Sequence, residues 1–253
     1  MRVIFAIAMT EFRRMFNSPL AWSILAVLQF VLGMIFLVLV QEFIEVVQPE
    51  TVGMENAPGV TDTVVAAIYL WAGIIMLAVM PLLTMRSFAE ERMNGTFTLL
   101  RSSPISVTAI VMGKYLALML FVLLMVLLIS LMPASLQLGT NLDFGKIAAS
   151  ILGLVLLLAS FAAAGLFISS LTNQPIIAAV ASFGLLLFLV VLYISGKSQT
   201  NGSELFVYLS HFGHFLSFLQ GLFQSGDLIY YLLFIVGFLV LTIRKLDNES
   251  LQR

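Results

Sequence analysis

Long apolar runs, separated by short polar stretches, set the pattern of the chain. In a helix, about 20 apolar residues span a ~30 Å hydrocarbon core. Runs of that length fall at roughly 20–40, 64–85, 107–132, 147–170, 176–195 and 228–243. No charge separates Lys146 from Lys197, yet a single helix over that stretch would be about 75 Å long. The break is SSLTNQP, residues 169–175, where Pro175 ends or kinks a helix and the neighbouring Ser, Thr, Asn and Gln satisfy freed backbone groups. Helices are expected because every backbone polar group must find a partner inside lipid. The pattern therefore predicts an all-α, polytopic membrane protein of six transmembrane helices, one domain over residues 1–253.

Three segments lie outside the spans. In residues 1–17, Phe5, Met9, Phe12 and Phe16 recur every three or four positions, with Thr10, Arg13, Arg14 and Asn17 opposite, which predicts an amphipathic interfacial helix. The seven-residue apolar stretch before Glu11 is followed at once by charges and has no small-residue cleavage pattern, so it reads as mature protein and not as a signal peptide. Residues 41–63, with Pro, Gly, Asn and acids, predict an outer loop. Residues 203–226 hold Leu205, Leu209, Phe212, Leu216, Leu219 and Phe223, an outer re-entrant helical segment that Gly213 and Gly221 could divide.

Composition agrees with a membrane setting: 61% of residues are hydrophobic and 10% charged, against about a quarter charged in soluble domains. A net charge of −1 offers no bulk attraction for nucleic acid. With no cysteine, disulfides, thiolate metal sites and cysteine nucleophiles are excluded. Charge also sets orientation. Arg2, Arg13, Arg14, Arg86, Arg92, Arg101, Lys114, Arg244, Lys245 and Arg253 share the side of the N-terminus, and only Lys146 and Lys197 lie opposite. The positive-inside rule then puts both termini in the cytoplasm.

Chemistry is sparse. No ionisable residue occupies the middle of a span; Lys114 comes closest, where it can snorkel to the inner surface. Gln29, deep in the first span, reads as a helix–helix hydrogen bond. Ion coupling is therefore disfavoured. His211 and His214 share a helical face, but without a placed third ligand they read as polar-face histidines and not as a metal pair. HExxH, GxSxG and P-loop motifs are absent, so no catalytic residue, metal or directly bound cofactor is assigned. A membrane hydrolase lacks a nucleophile–base pair, and a channel lacks charged rings or a filter loop.

One polar patch interrupts the pattern: RSFAEERMNGTFTLLRSSPIS, residues 86–106. Ser87–Leu100 reads as a short helix in which Gly95 permits a break or a close approach. Ser103 and Pro104 read as the N-cap and first position of the third span. A solvated loop is the plain reading; a rigid, partly apolar knob that docks on a cytoplasmic partner is the functional one.

The stretch ERMNGTFTLLRSSPIS, residues 91–106, resembles the coupling-helix segment of type-2 ABC transporter permeases. FRRMFNSPLAWSILAV (12–27), GLFISSLTNQPIIAAVASF (165–183) and LSHFGHFLSFLQGLFQSGDLIYYL (209–232) resemble its first-span entry, hairpin and outer re-entrant segment, in the same order. With TIRKLDNES they are similar to the gliding-motility (GldF-like) branch. The resemblance implies a non-catalytic permease subunit of an exporter, a coupling helix within 86–104, and a second permease subunit, identical or different. It implies a separate cytoplasmic ABC ATPase that binds ATP and Mg²⁺, with membrane lipid around the spans. Carried over as ATPase-contacting are Glu90, Glu91, Arg92, Gly95, Thr96, Leu99 and Leu100. Met93, Asn94 and Arg101 depart from the family pattern, as does Pro175. The alternative is a mechanical component that uses the ATPase to act on a partner protein without moving a solute.

Overall fold

The structure, a computed structural model, describes residues 2–50, 58–97, 105–198 and 210–251. Among them we distinguish α1 (Arg2–Asn17), α2 (Pro19–Glu50), α3 (Thr61–Met93), α4 (Val107–Leu138), α5 (Phe144–Leu171), α6 (Pro175–Ser198), α7 (His211–Leu219) and α8 (Ser225–Leu251), with no strand. All but α1 and α7 are long and apolar enough to cross a membrane, which gives the six predicted spans and a multi-pass membrane protein.

Local chemistry sets the breaks. Ser18 caps α2, its hydroxyl accepting from the Leu20 amide, and Pro19 supplies the first helical position. Asp143 caps α5 by accepting from the Gly145 and Lys146 amides. Between α5 and α6 the chain leaves the helix at Thr172, and Pro175 opens α6 rather than ending α5. Two boundaries differ from the sequence expectation. Residues 41–50 continue α2 through a π turn at Phe43–Val47, and α3 begins at Thr61, so much of the expected outer loop is helical. The cap of α4 is Ser106 and not Ser103, because the Ser106 hydroxyl accepts from the Ala109 amide; Ser103 and Pro104 lie outside the described residues.

Helix α5 is the axis of the bundle. Of its apolar stretch 67% is buried, against 11% for α2 and 17% for α6 at the periphery. Its run Ala162, Ala163, Ala164, Gly165 is buried and lets neighbours approach closely. A Cβ on Gly165 would lie 2.3 Å from the Thr84 hydroxyl of α3. Ser169 then accepts from the Phe88 and Ala89 amides of α3, 3.1 Å each, and donates to the Met85 carbonyl. Glycine notches also receive α7: Phe218 fits against Gly153 of α5 and Phe215 against Gly73 of α3. Gly213 lies inside α7, and the chain turns at Gly221, whose φ is +77°. Residues 203–209 of the re-entrant segment lie outside the described residues. In the first span, Gln29 donates to the Leu128 carbonyl of α4 at 3.1 Å, as expected.

The interfacial helix differs from its predicted role. Phe5 is exposed, in keeping with a lipid-facing side, but Ala8 is buried and Ile7 presses on Gly113 of α4, where a Cβ would lie 2.6 Å away. Helix α1 therefore packs against the bundle as well as presenting an apolar side outward.

Gly165→Leu should disrupt the α3–α5 contact and cost at least the ~1–3 kcal/mol typical of overpacking. Gly184→Leu, where a side chain meets open space, should leave stability within about 0.5 kcal/mol. Thermal unfolding of the two detergent-solubilised variants measures the difference; equal stabilities would remove α5 from its central packing role.

Candidate functional site

The final turns of α3 reach one face of the bundle, where adjacent residues radiate to different elements. Glu91 is buried. Its Oε1 accepts from Lys114 Nζ of α4 at 2.6 Å and from Arg14 Nη1 of α1 at 3.0 Å. Lys114 Nζ also donates to Glu11 Oε1 of α1 at 2.7 Å, with Arg14 a further 3.6 Å from Glu11. Two acids and two bases thus form a neutral cluster that ties α1, α3 and α4 together. Lys114, only 2% exposed, does not snorkel as the sequence suggests. Its partners reach it inside the bundle, and its ammonium lies 5.3 Å from the Phe88 ring centre. Glu91 spends one oxygen on both cations, which leaves Oε2 buried without a hydrogen-bond partner.

Arg92 points elsewhere. Its Nη2 donates to Glu249 Oε2 of α8 at 2.6 Å, and its guanidinium lies 5.1 Å from the Phe97 ring centre. Lys245 also reaches Glu249, at 3.2 Å. Glu90 is 3.8 Å from Arg86 on its own helix and lines a cavity beside α1 and α2. Since neighbouring helical residues diverge by about 100°, Glu90, Glu91 and Arg92 address the cavity, α1 with α4, and α8 respectively.

Ser87–Leu100 is therefore not one short helix. Its first part is the end of α3, and the chain breaks at Asn94–Gly95. Gly95 has φ +71°, the left-handed conformation that closes many helices, and its amide bonds the Arg92 carbonyl at 3.2 Å. Thr96 donates to the Glu91 carbonyl at 3.3 Å, and a new helical turn opens there. Met93, Asn94, Gly95 and Thr96 are exposed, whereas Phe97 is buried edge-on against Phe88. Leu99 and Leu100, also selected from the sequence, lie outside the described residues. Of the selected residues, Gly95 and Thr96 thus lie at an exposed corner, Glu90 and Arg92 are half-buried beside it, and Glu91 is buried behind it.

Sequence reasoning missed Glu11, Arg14 and Glu249. A signal existed for the first: Glu11 stands in register with Ile4, Ala8 and Met15 along α1, a charge on an otherwise apolar, half-buried stripe. No such pattern marks Glu249, whose pairing with Arg92 joins residues 157 positions apart.

A second polar cluster lies away from this corner. His211 and His214 are buried in α7 and do not form a polar face. His214 Nδ1 is 2.6 Å from Asp227 Oδ1, and His211 Nδ1 is 2.8 Å from the Tyr230 hydroxyl. Tyr231 donates to the His211 carbonyl at 2.7 Å. Among the described residues, no three His, Cys, Asp or Glu side chains gather to hold a metal ion. Burial, with His214 nearby, pushes His211 down to about 3, so it is neutral in the fold.

A family model described as ABC-2 family transporter protein matches residues 38–244, well over half of the chain. No curated protein matches it. Glu91, Arg92 and Lys114 fall inside the matched region; Glu11, Arg14 and Glu249 fall outside it.

Lys114→Ala leaves Glu11 and Glu91 with Arg14 alone, a cluster with one uncompensated negative charge, and should cost about 3–5 kcal/mol. Replacing the pair together, Glu91→Leu with Lys114→Met, should recover most of that loss. Denaturant unfolding of the single and double variants tests the coupling, and simple additivity would contradict it. For His211, the folded value lies below the ordinary 6.5, so its contribution is complete above about pH 6.5 and is lost as pH falls toward 3. His211→Phe should flatten the fall in melting temperature between pH 7 and pH 4.

Proposed function

The chain belongs to the ABC-2 family of transporter proteins, and from that premise we propose that it couples ATP hydrolysis on a separate ATPase subunit to export across a bacterial cytoplasmic membrane. As a membrane component it is not itself catalytic. In this reading the corner Met93–Thr96 faces the cytoplasm and seats on the ATPase, which alone carries ATP and Mg²⁺. Both termini share that side, and a second permease subunit completes the membrane part. Within the family, the sequence resemblances alone suggest the gliding-motility branch.

The observation that carries the proposal is the combination of an exposed, glycine-closed corner with buried ion pairs directly behind it. Four exposed residues in a row give a partner something to grip, and Phe97 under Phe88 keeps the grip from folding away. A force on the corner passes to α1 and α4 through Glu91, and to α8 through Arg92. Ser169 holds the same turns of α3 against the central α5. Low-dielectric ion pairs suit this task because they resist separation yet exchange partners at constant total charge. The spare Oε2 of Glu91 offers a second acceptor position for Lys114 or Arg14 as the corner moves.

Two sets of variants test docking and transmission separately. Met93→Asp with Asn94→Lys alters only exposed side chains. It should leave the melting temperature unchanged while weakening co-purification of the ATPase by about tenfold or more, the effect of losing a contact hot spot. The Glu91→Leu, Lys114→Met pair should retain the ATPase but lose transport-linked stimulation of ATP hydrolysis in proteoliposomes. If the corner variant binds and stimulates normally, the ATPase docks elsewhere and the proposal fails.

A further inference from the structure

The cavity beside the ion cluster has an apolar neighbour, a trough that shares Leu20 with it. On α3, Ile75, Val79 and Leu82 form one stripe, each three or four positions from the next, and Arg86 then Glu90 continue the same face. The apolar part of the stripe faces Leu20, Ile24 and Val27 of α2 across an outward-open trough of about 520 Å³. The polar part borders a chamber of about 260 Å³ between α1, α2, α3 and α4. Leu20 lines both, and Val27 and Leu82 are exposed at the trough. A charged chamber and an apolar trough that meet at Leu20 present, side by side, the two chemistries of an amphiphile.

The chamber charges select the head. Lys114 and Arg14 are engaged by Glu11 and Glu91. Arg86 is the least committed cation lining the chamber: its Nη1 donates to the neutral Ser18 hydroxyl at 3.1 Å, and its Nε stands 3.8 Å from Glu90. Ser18 is also the N-cap of the long helix α2, an end that favours an anion. A phosphate on Arg86 and Ser18 would draw the guanidinium from Glu90 and leave that carboxylate in need of a cation. A primary ammonium on the same headgroup supplies it, with three donors.

We propose that this compound cavity binds one zwitterionic phospholipid, phosphate on Arg86 and Ser18, ammonium on Glu90, and an acyl chain in the α2–α3 trough. The lipid belongs to the leaflet at the face carrying the N-terminus. Free phosphate would not use the trough, and an anionic lipid without an ammonium would leave Glu90 uncompensated. The site is independent of the ATPase reading.

Native mass spectrometry of the full chain, released from mild detergent with added phosphatidylethanolamine, phosphatidylglycerol or inorganic phosphate, tests it. One phosphatidylethanolamine per chain should be retained in preference to the other two. Arg86→Ala should reduce retention by about tenfold, as for loss of a charge-assisted hydrogen bond. Val79→Trp, which fills the trough, should do the same without touching the charges. Glu90→Gln should abolish the preference over phosphatidylglycerol while keeping lipid bound. Gel filtration confirms folding, and Ser18→Ala replaces Arg86→Ala if the latter misfolds. The proposal is overturned if phosphatidylglycerol or phosphate binds as well to the wild type, if Arg86→Ala (or its substitute) and Val79→Trp retain lipid normally, or if Val27→Cys, in this cysteine-free chain, forms a disulfide with a second copy across the trough.

Discussion

Burying Lys114 and Glu91 in an apolar bundle is the constraint around which this face of the molecule is arranged. An isolated charge there costs several kcal/mol, so each must bring a partner with it. Lys114 sits in α4, Glu91 at the end of α3, and Glu11 and Arg14 on α1. Satisfying the charges fixes three helices in register. It also explains why α1 packs at Gly113 with its backbone close to α4, instead of floating in the interface. Displacing α1 would strip Lys114 of Glu11 and Glu91 of Arg14.

Steric fit does the corresponding work along the bundle axis. Small residues on α5 bring α3 close enough for Ser169 to reach the Phe88 and Ala89 amides, three residues before the buried glutamate and two residues before it. Gly73 and Gly153 admit phenylalanines from α7. Around this close-packed centre, α2 and α6 remain thinly packed, with apolar sides outward. Packing is therefore close at the axis and loose at the rim. The two buried polar clusters differ in kind: the first carries balanced charges, while the second keeps His211 neutral among aromatic rings.

Membership of the ABC-2 family is the premise on which we propose that the exposed corner docks a separate ATPase. Under that proposal, adjacent side chains that diverge around one helix would distribute a force applied at the corner. Glu90, Glu91 and Arg92 reach three surroundings without any branching of the backbone.

Legibility divided along physical lines. The six spans, the hairpin at residues 169–175, the amphipathic α1 and the break near Gly95 follow from local rules: hydrocarbon thickness, helical period, proline and glycine geometry. These depend on neighbours in sequence, so the sequence by itself determined them. It also marked the polar patch as unusual. It could not show that the patch begins as the last turns of α3, since apolar continuity into a charged stretch is ambiguous from one dimension. Nor could it place Lys114, whose lone charge reads as a snorkelling end until Glu11 and Glu91 are brought to it from 103 and 23 positions away. His211 and His214 likewise look polar-facing until α7 is seated in its glycine notches. Pairing of distant charges and the depth at which a helix docks are properties of packing in three dimensions, and only the tertiary structure decided them.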